Sequence, residues 1–471
     1  MKSKTINIAV LLAALFSLVS CLDANDGDYV YTDDSAVTAF SVTSAKKAVH
    51  VRASNGADSV YYTTATLTAY KFVIDQQRCV IYNPDSLPYG VDPTKLLVSA
   101  NSLNSGSLVL KSMTSDSLSY FSTTDSLDFS KPRELQVYSL SGAAVRKYEV
   151  RVNVHQEPAD KFNWTKLPNA TPFASTVTGV KSFTVTTAAG VTRRFLLASD
   201  GNITTVFCAD GDEAWHAATP NFNHPLAADA YRSAVVKHDT LFVCEHGTVM
   251  ATTDGNQWAQ QCTGADVTRL IAANPVRLYA YNAQGAMLSS DDSGKTWKAA
   301  SIDESTSLLP NGDIAYATLP LNTNANAYRT LLIGSVPEAS TTAFSIWGKI
   351  DEGDAYSENQ PWMFYDHNSL NRHELSLMQN FSAFTYDGKI MMVGNEDRVY
   401  LPYFYGSRDG GITWEADTVI TSPLGFFVTG PYTVSVDKDH FIWFVSGKTG
   451  ETWRGRINRL GWKKEQYEYY E

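Results

Sequence analysis

The stretch "YDHNSLNRHE" brings Asp366, His367, His373 and Glu374 close together. Imidazole and carboxylate groups so close could ligate a metal or share a proton. Polar loops are built from the same residues, and the stretch is read as a loop, with no metal and no cofactor expected. Two aromatic runs, "QPWMFYDH" and "VYLPYFYG", suggest different chemistry. Exposed rings stack on sugar faces, so Trp362, Tyr365, Tyr403 and Tyr405 form a candidate ligand platform; packing inside strands is the alternative. A third pattern is an acid at fixed spacing. Ser290, Asp292, Gly294, Thr296 and Trp297 recur as Ser407, Asp409, Gly411, Thr413 and Trp414. A repeated carboxylate could bind calcium or catalyse. The spacing points instead to a turn, in which Asp accepts from backbone N–H groups, Gly takes an angle closed to side chains, and Trp packs. Looser copies place Asp210 before Trp215 and Asp254 before Trp258, and "SGKTGETW" has Lys448 where the acid belongs. Neither a G-x-S-x-G elbow, a phosphate loop nor HExxH occurs, so no catalytic residue is assigned.

The elements that carry these residues repeat. Trp164, Trp215, Trp258, Trp297, Trp362, Trp414 and Trp462 recur at intervals of roughly 40–65 residues, each enclosing several short strands. That is the period of propeller blades, and the intervals favour six blades, with seven as the alternative. The propeller is assigned to residues 161–471. Residues 38–155 form a separate strand-rich unit. In "KYEVRVNVH", Tyr148, Val150, Val152 and Val154 alternate with Glu149, Arg151 and Asn153, the mark of a half-buried strand. An immunoglobulin-like β-sandwich is expected there, joined by a linker at 156–160. The fold class is therefore all-β: a sandwich followed by a propeller.

Bulk composition narrows the partners. The 471-residue chain carries a formal charge of −11 with only 18% charged residues. Nucleic acid is excluded as a partner, because phosphate recognition needs clustered cations. Arg454, Arg456 and Arg459 come nearest and read as a solvated strand edge. Residues 1–21 form a secretion signal: Lys2 and Lys4, an apolar run from Ile6 to Leu18, then "LVSC". Residues 22–37, with Asp23, Asp26, Asp28, Asp33 and Asp34, read as an acidic tether. Cys79, Cys208, Cys244 and Cys262 lack metal-ligand spacing; disulfides and isolated thiols both remain open for them.

Three resemblances add to these readings. "LVSC" resembles the lipobox of bacterial lipoproteins, which implies that Cys21 carries a membrane-anchoring lipid. The acids behind it resemble the surface-export signal of Bacteroidetes lipoproteins, which implies the outer membrane and the cell surface, with a periplasm-facing location as the alternative. The Asp-Gly-Trp turns resemble the Asp-box (BNR repeat) of sialidase-type propellers, where the boxes are structural and peripheral. That family's Arg-Ile-Pro motif is absent, and "PVRLY" is a poor substitute. The whole layout also resembles a Bacteroidetes lipoprotein family with no assigned chemistry, through "DSLPYG" and "RGRINRLGW". The expectation is a lipid-anchored, non-catalytic envelope protein for binding or adhesion, presenting a propeller surface to a glycan or protein. The rivals are a sialidase-like glycoside hydrolase and a scaffold of an outer-membrane complex.

Overall fold

The computed structural model describes residues 32–462 apart from 53–57, 169–172, 174–175, 223, 263–265, 337–342, 353–359, 367–370 and 397–400. The signal, Cys21 and most of the acidic tether lie outside the described residues. Two compact units divide the chain, Met1–Pro158 and Ala159–Glu471. The regular secondary structure of the described residues is strand, apart from four 3-10 segments of three or four residues.

The first unit contains two sheets. Val37–Arg52 pairs antiparallel with Asp58–Thr66 on one side and Val91–Ser102 on the other. The second sheet has six strands, in the order Val73–Asp75, Val80–Tyr82, Val145–Arg151, Arg133–Tyr138, Ser107–Lys111, Leu118–Tyr120. Val80–Tyr82 runs parallel to Val145–Arg151, and the remaining pairs are antiparallel. Alternation dictates the packing. Tyr148 and Val150 are fully buried between exposed Glu149 and Arg151, and they join Leu96, Val98, Leu135 and Val137 in a core drawn from both sheets. The buried Tyr148 hydroxyl accepts from the Val37 amide at 3.2 Å and donates to Gln76 Oε1.

The second unit is a ring of six antiparallel sheets. Each begins with a strand at the axis: Gly179–Thr186, Ala234–Lys237, Arg269–Ala273, Ile314–Leu321, Gln379–Tyr386 and Tyr432–Val436. These six touch one another in succession, and the last touches the first. The second strands, such as Thr240–Glu245, Lys389–Asn395 and Ile442–Ser446, are buried almost end to end. A sheet on either side covers both of their faces, so their apolar residues run continuously rather than alternate. The outermost strands of several sheets, such as Lys298–Ala299 and Glu415–Ala416, are two exposed residues long.

Closure is non-local. The fourth strand of the last sheet is Phe162–Lys166, from the start of the unit, paired with Thr452–Ile457. Trp164 therefore lies within the closing strand rather than ahead of it. Six of the seven landmark tryptophans occupy the six gaps between sheets, one in each. Trp258, Trp362, Trp414 and Trp215 belong to four of the buried clusters, while Trp297 and Trp164 pack against the other two. Trp462 belongs to none of these clusters and follows the final 3-10 segment. Filling a gap with an indole buries a large apolar area at one residue per sheet, which accounts for the recurrence.

Candidate functional site

A cavity of about 660 Å³ lies on the axis, walled by residues of all six inner strands. Where side chains bridge neighbouring inner strands, those strands run in the same sense. Ser182 N and Thr184 Oγ1 donate to Thr433 Oγ1 and the Val436 carbonyl. Likewise Arg269 Nη1 donates to the Gly312 carbonyl at 2.9 Å, and Thr318 Oγ1 to the Ala273 carbonyl at 3.0 Å. The cavity thus has one end where inner strands begin and another where they finish.

The beginning end is cationic. Lys181 lies three residues into its strand, Arg269 opens its own, Arg232 sits in the 3-10 turn ahead of Ala234, and Asp313 just precedes Ile314. Arg232 Nη2 pairs with Asp313 at 3.1 Å, and its Nε donates to the Tyr231 hydroxyl at 3.1 Å. The Tyr231 ring lies so close to Gly179 that a Cβ there would stand 2.3 Å from its hydroxyl. Arg269 spends Nη1 on the carbonyls of Gly312 and Asn311, while its buried Nε has no hydrogen-bond partner. Lys181 Nζ stands 5.6 Å from the centre of the Phe183 ring and 5.9 Å from that of Tyr316, with no ion pair or hydrogen bond among the described residues. Enclosure by the cavity wall, then the neighbouring Arg269 charge, push the Lys181 amine down to about 7 against the opposing pull of Asp313. Tyr316 reaches across the cavity, its hydroxyl accepting from the Val236 amide at 3.0 Å.

The finishing end holds Lys237, His238, Asp437, Lys438 and His440. Lys237 Nζ donates to the Val276 carbonyl at 2.9 Å, and burial lowers its pKa. Asp313 and Asp437, the two carboxylates of the described lining, thus lie at opposite ends, and no Glu is among the described lining residues.

The repeated acid turns are elsewhere, between the third and outermost strands of their sheets. Asp292 Oδ1 accepts from the Ser290 hydroxyl at 2.8 Å and the amides of Lys295 and Thr296 at 3.0 and 2.9 Å, and Oδ2 from the Thr296 hydroxyl at 2.6 Å. Asp409 repeats the pattern with Ser407, Ile412 and Thr413. Burial alone would raise the Asp292 pKa, but the bonds from Thr296, Ser290 and Lys295 outweigh it and bring the carboxyl down to about 2. Each indole N–H donates to the turn glycine's carbonyl: Trp297 to Gly294 at 3.1 Å, Trp414 to Gly411 at 3.0 Å. Asp254 makes the same kind of turn, accepting from Asn256 and Gln257 amides, and Trp258 donates to Gly255.

Other sequence matches part company with this pattern. Asp210 faces Arg193 in a two-point ion pair, both contacts at 2.7 Å, because that guanidinium lies directly across the strand pair. Ser446–Trp453 joins the second and third strands of its sheet rather than the third and fourth; lacking the acid, it closes through backbone bonds of Ser446 with Gly450 and Glu451. Trp362 is no platform residue: it is fully buried, held edge-on to Tyr279 at 4.8 Å. The Tyr365 hydroxyl accepts from Arg329 Nη1 at 3.2 Å, and Tyr405 donates to Glu396 at 2.6 Å; both are half-buried against one cluster, leaving Tyr403 as the exposed member. The arginines read as a solvated edge are engaged: Arg459 binds Asp387 and Asp160, Arg454 binds Asp212, and Arg456 lies 4.0 Å over the Phe441 ring. His367 lies outside the described residues. Asp366, His373 and Glu374 are exposed, and no group of three metal-ligating side chains is assembled among the described residues. Cys79, Cys208, Cys244 and Cys262 are free thiols, with burial pushing Cys208 up to about 12 and Cys244 to about 11.

The charged residues of this end escaped sequence reading because Lys181, Arg232, Arg269 and Asp313 come from four separate repeats and form no local motif. Their one shared signal is position, at or just before the first strand of a repeat.

These features define an all-β protein with a β-propeller domain. The chain belongs to the family described as the DUF6242 beta propeller domain, matched over residues 158–465, and residues 40–152 match the DUF6242 N-terminal domain, a domain of unknown function. No curated protein is similar enough to count as a relative. Among solved structures, the six-bladed fungal lectin of Aleuria aurantia is 11% identical, with 62% of this chain and 96% of that chain covered and a TM-score of 0.39. YCF48 from Cyanidioschyzon merolae is 14% identical, with coverages of 62% and 98% and a TM-score of 0.31. Likeness at that level carries nothing about ligands.

Proposed function

We propose that the protein is a non-catalytic binding protein of the cell envelope, with the axial cavity of a six-bladed propeller as its recognition site for a glycan or protein. The observation that carries this reading is the cavity's chemistry: cations at both ends, Lys181, Arg232 and Arg269 at one and Lys237 and Lys438 at the other, and two carboxylates at opposite ends instead of facing each other. Glycosidases of the usual two-carboxylate kind need these groups roughly 5–10 Å apart across one bond, an arrangement that sialidases, with a Tyr nucleophile, do not share. The six sheets, closed by Phe162–Lys166, support six blades. Two sheets around one core support an immunoglobulin-like first domain, and the hydrogen bonds at Asp292, Asp409 and Asp254 support a structural Asp-box role. Lipid on Cys21 and display at the outer-membrane surface rest on the sequence. Protein docking draws separate support from Leu424 and Phe427, 93% and 62% exposed on the segment leading into the last sheet.

The test is incubation of the intact chain with a panel of envelope glycans, following both retention and product release. Retention without turnover is expected. Turnover abolished by Asp313→Asn or Asp437→Asn would replace the binding reading with an enzymatic one. In cells, Cys21→Ser is expected to move the protein from the membrane fraction to the soluble fraction; unchanged membrane retention would refute the anchor.

A further inference from the structure

We propose that the strand-beginning end of the cavity is a carboxylate subsite, where Lys181 and Arg269 hold the acid group of a small organic acid, free or at the end of a glycan. The inference rests on reading the cavity as a binding site and adds the ligand's chemistry.

Charge is the first ground. The chain carries −11 overall, yet Lys181, Arg232 and Arg269 meet there against Asp313 alone. Arg232 is spent on Asp313 and Tyr231. The donors left over include the Lys181 amine and the Arg269 Nε, which is buried and has no hydrogen-bond partner. Holding unmatched cations in a confined, partly desolvated place is costly, and an anion supplied from outside offsets that cost. Valence is the second ground. With Arg232 matched to Asp313 and the Lys181 amine only partly charged near neutral pH, Arg269 is the one full unmatched charge of the empty subsite, which suits a single negative charge. A carboxylate also offers two in-plane oxygens to a guanidinium edge and an amine. Shape is the third. The Phe183, Tyr316 and Tyr231 rings furnish apolar faces for the body of the ligand, and about 660 Å³ is an ordinary size for a small-molecule site.

The subsite couples binding to protons. Facing Lys181 are Arg269, Arg232, Asp313 and the phenols of Tyr231 and Tyr316; the inner strands Gln379–Tyr386 and Tyr432–Val436 add no charged side chain at this end, and Lys237, His238, Asp437, Lys438 and His440 lie at the other. An amine that is largely neutral above pH 7 when the cavity is empty becomes protonated beside a bound carboxylate. Binding therefore takes up a proton, and affinity weakens as pH rises, by about tenfold between pH 6 and pH 8.

The experiment is titration calorimetry on the intact chain with glucuronate, glucose, methyl glucuronate ester and inorganic phosphate, plus an oligosaccharide ending in glucuronate. Glucuronate, free or terminal, is expected to bind while glucose and the ester do not; whichever form binds more tightly identifies the source. Titrations in buffers of different ionisation enthalpy should show proton uptake near neutral pH, a readout that needs no variant. Lys181→Met and Arg269→Gln are expected to weaken binding at least tenfold, and Lys181→Arg to retain binding while losing the pH dependence. Thermal unfolding of each variant distinguishes loss of a ligand contact from loss of the fold. Equal binding of glucose and glucuronate, abolished by Lys181→Met, would overturn the carboxylate inference and leave the cavity reading standing. Glucuronate binding untouched when Lys181→Met and Arg269→Gln are combined in one chain would overturn both. Preference for phosphate, or no carboxylate binding at millimolar concentration, would overturn the subsite alone.

Discussion

Gly411→Ala tests whether the acid turns bind sheet to sheet. Gly411 has φ +100°, and a Cβ there would stand 2.4 Å from Leu331 Cδ1, a fully buried side chain of the preceding sheet. Two costs add. Left-handed backbone costs a non-glycine residue about 1–2 kcal/mol. Forcing a methyl group into a packed core costs about 1–3 kcal/mol more. The expected loss is therefore about 2–5 kcal/mol. Gly285→Ala isolates the backbone cost, because Gly285 has φ +76° and nothing within 4 Å of its Cβ position; about 1–2 kcal/mol is expected. Gly294→Ala falls between the two, with Val249 Cγ1 of the preceding sheet at 3.2 Å. Urea unfolding followed by tryptophan fluorescence measures the series cleanly, since all 10 tryptophans lie in the second unit. The expected order of damage is Gly285, then Gly294, then Gly411. If Gly411→Ala proved as mild as Gly285→Ala, the turns would be local ornaments and the inter-sheet role would fail.

Two further substitutions probe the electrostatics. Asp292 titrates at about 2, below its unfolded value, so its contribution is complete above about pH 4 and is lost as pH falls towards 2. Asp292→Asn is expected to cost about 2 kcal/mol at pH 7 and progressively less in acid; unfolding midpoints at pH 7, 4 and 3 check this, and a gap independent of pH would count against it. Asp351 is fully buried and accepts from Arg277 Nη1 at 2.7 Å, Asn274 Nδ2 at 2.6 Å and the Tyr279 hydroxyl. Asp351→Ala removes the buried carboxylate that pairs with the Arg277 guanidinium and is expected to cost about 3–5 kcal/mol, with much of the loss recovered when Arg277→Met is added. Additive losses in that double-mutant cycle would show that the two residues act independently.

What could be read from the sequence divides along a physical line. The Asp-Gly-Trp turns were legible because their bonds span four residues, from Ser290 to Gly294 and from Asp292 to Thr296. Spacing therefore encodes the geometry. Even here a distant partner can intervene: Asp210 has the spacing, but Arg193 on the neighbouring strand takes its carboxylate. Trp362 shows the opposite failure. It fills an inter-sheet gap as Trp258 and Trp414 do, yet the sequence just ahead of it lacks the Asp-x-Gly spacing that would mark that role, and its aromatic neighbours suggested a surface.

Interactions across the ring leave no such trace. Closure depends on Phe162–Lys166 finding Thr452–Ile457 at the other end of the unit, a pairing that no periodicity announces. The axis is harder still. Lys181, Arg232, Arg269 and Asp313 converge because each sits near the start of an inner strand, and ring geometry alone brings four such starts to one place. A propeller thus separates its two kinds of information. The periphery repeats, so its constraints are local and visible as motif; the axis is shared by all the sheets, so each contributes one or two residues that are unremarkable in their own repeat. Charge at the axis can change without disturbing any turn at the rim, and for that reason ligand chemistry has to be sought in the positions where the repeats differ from one another.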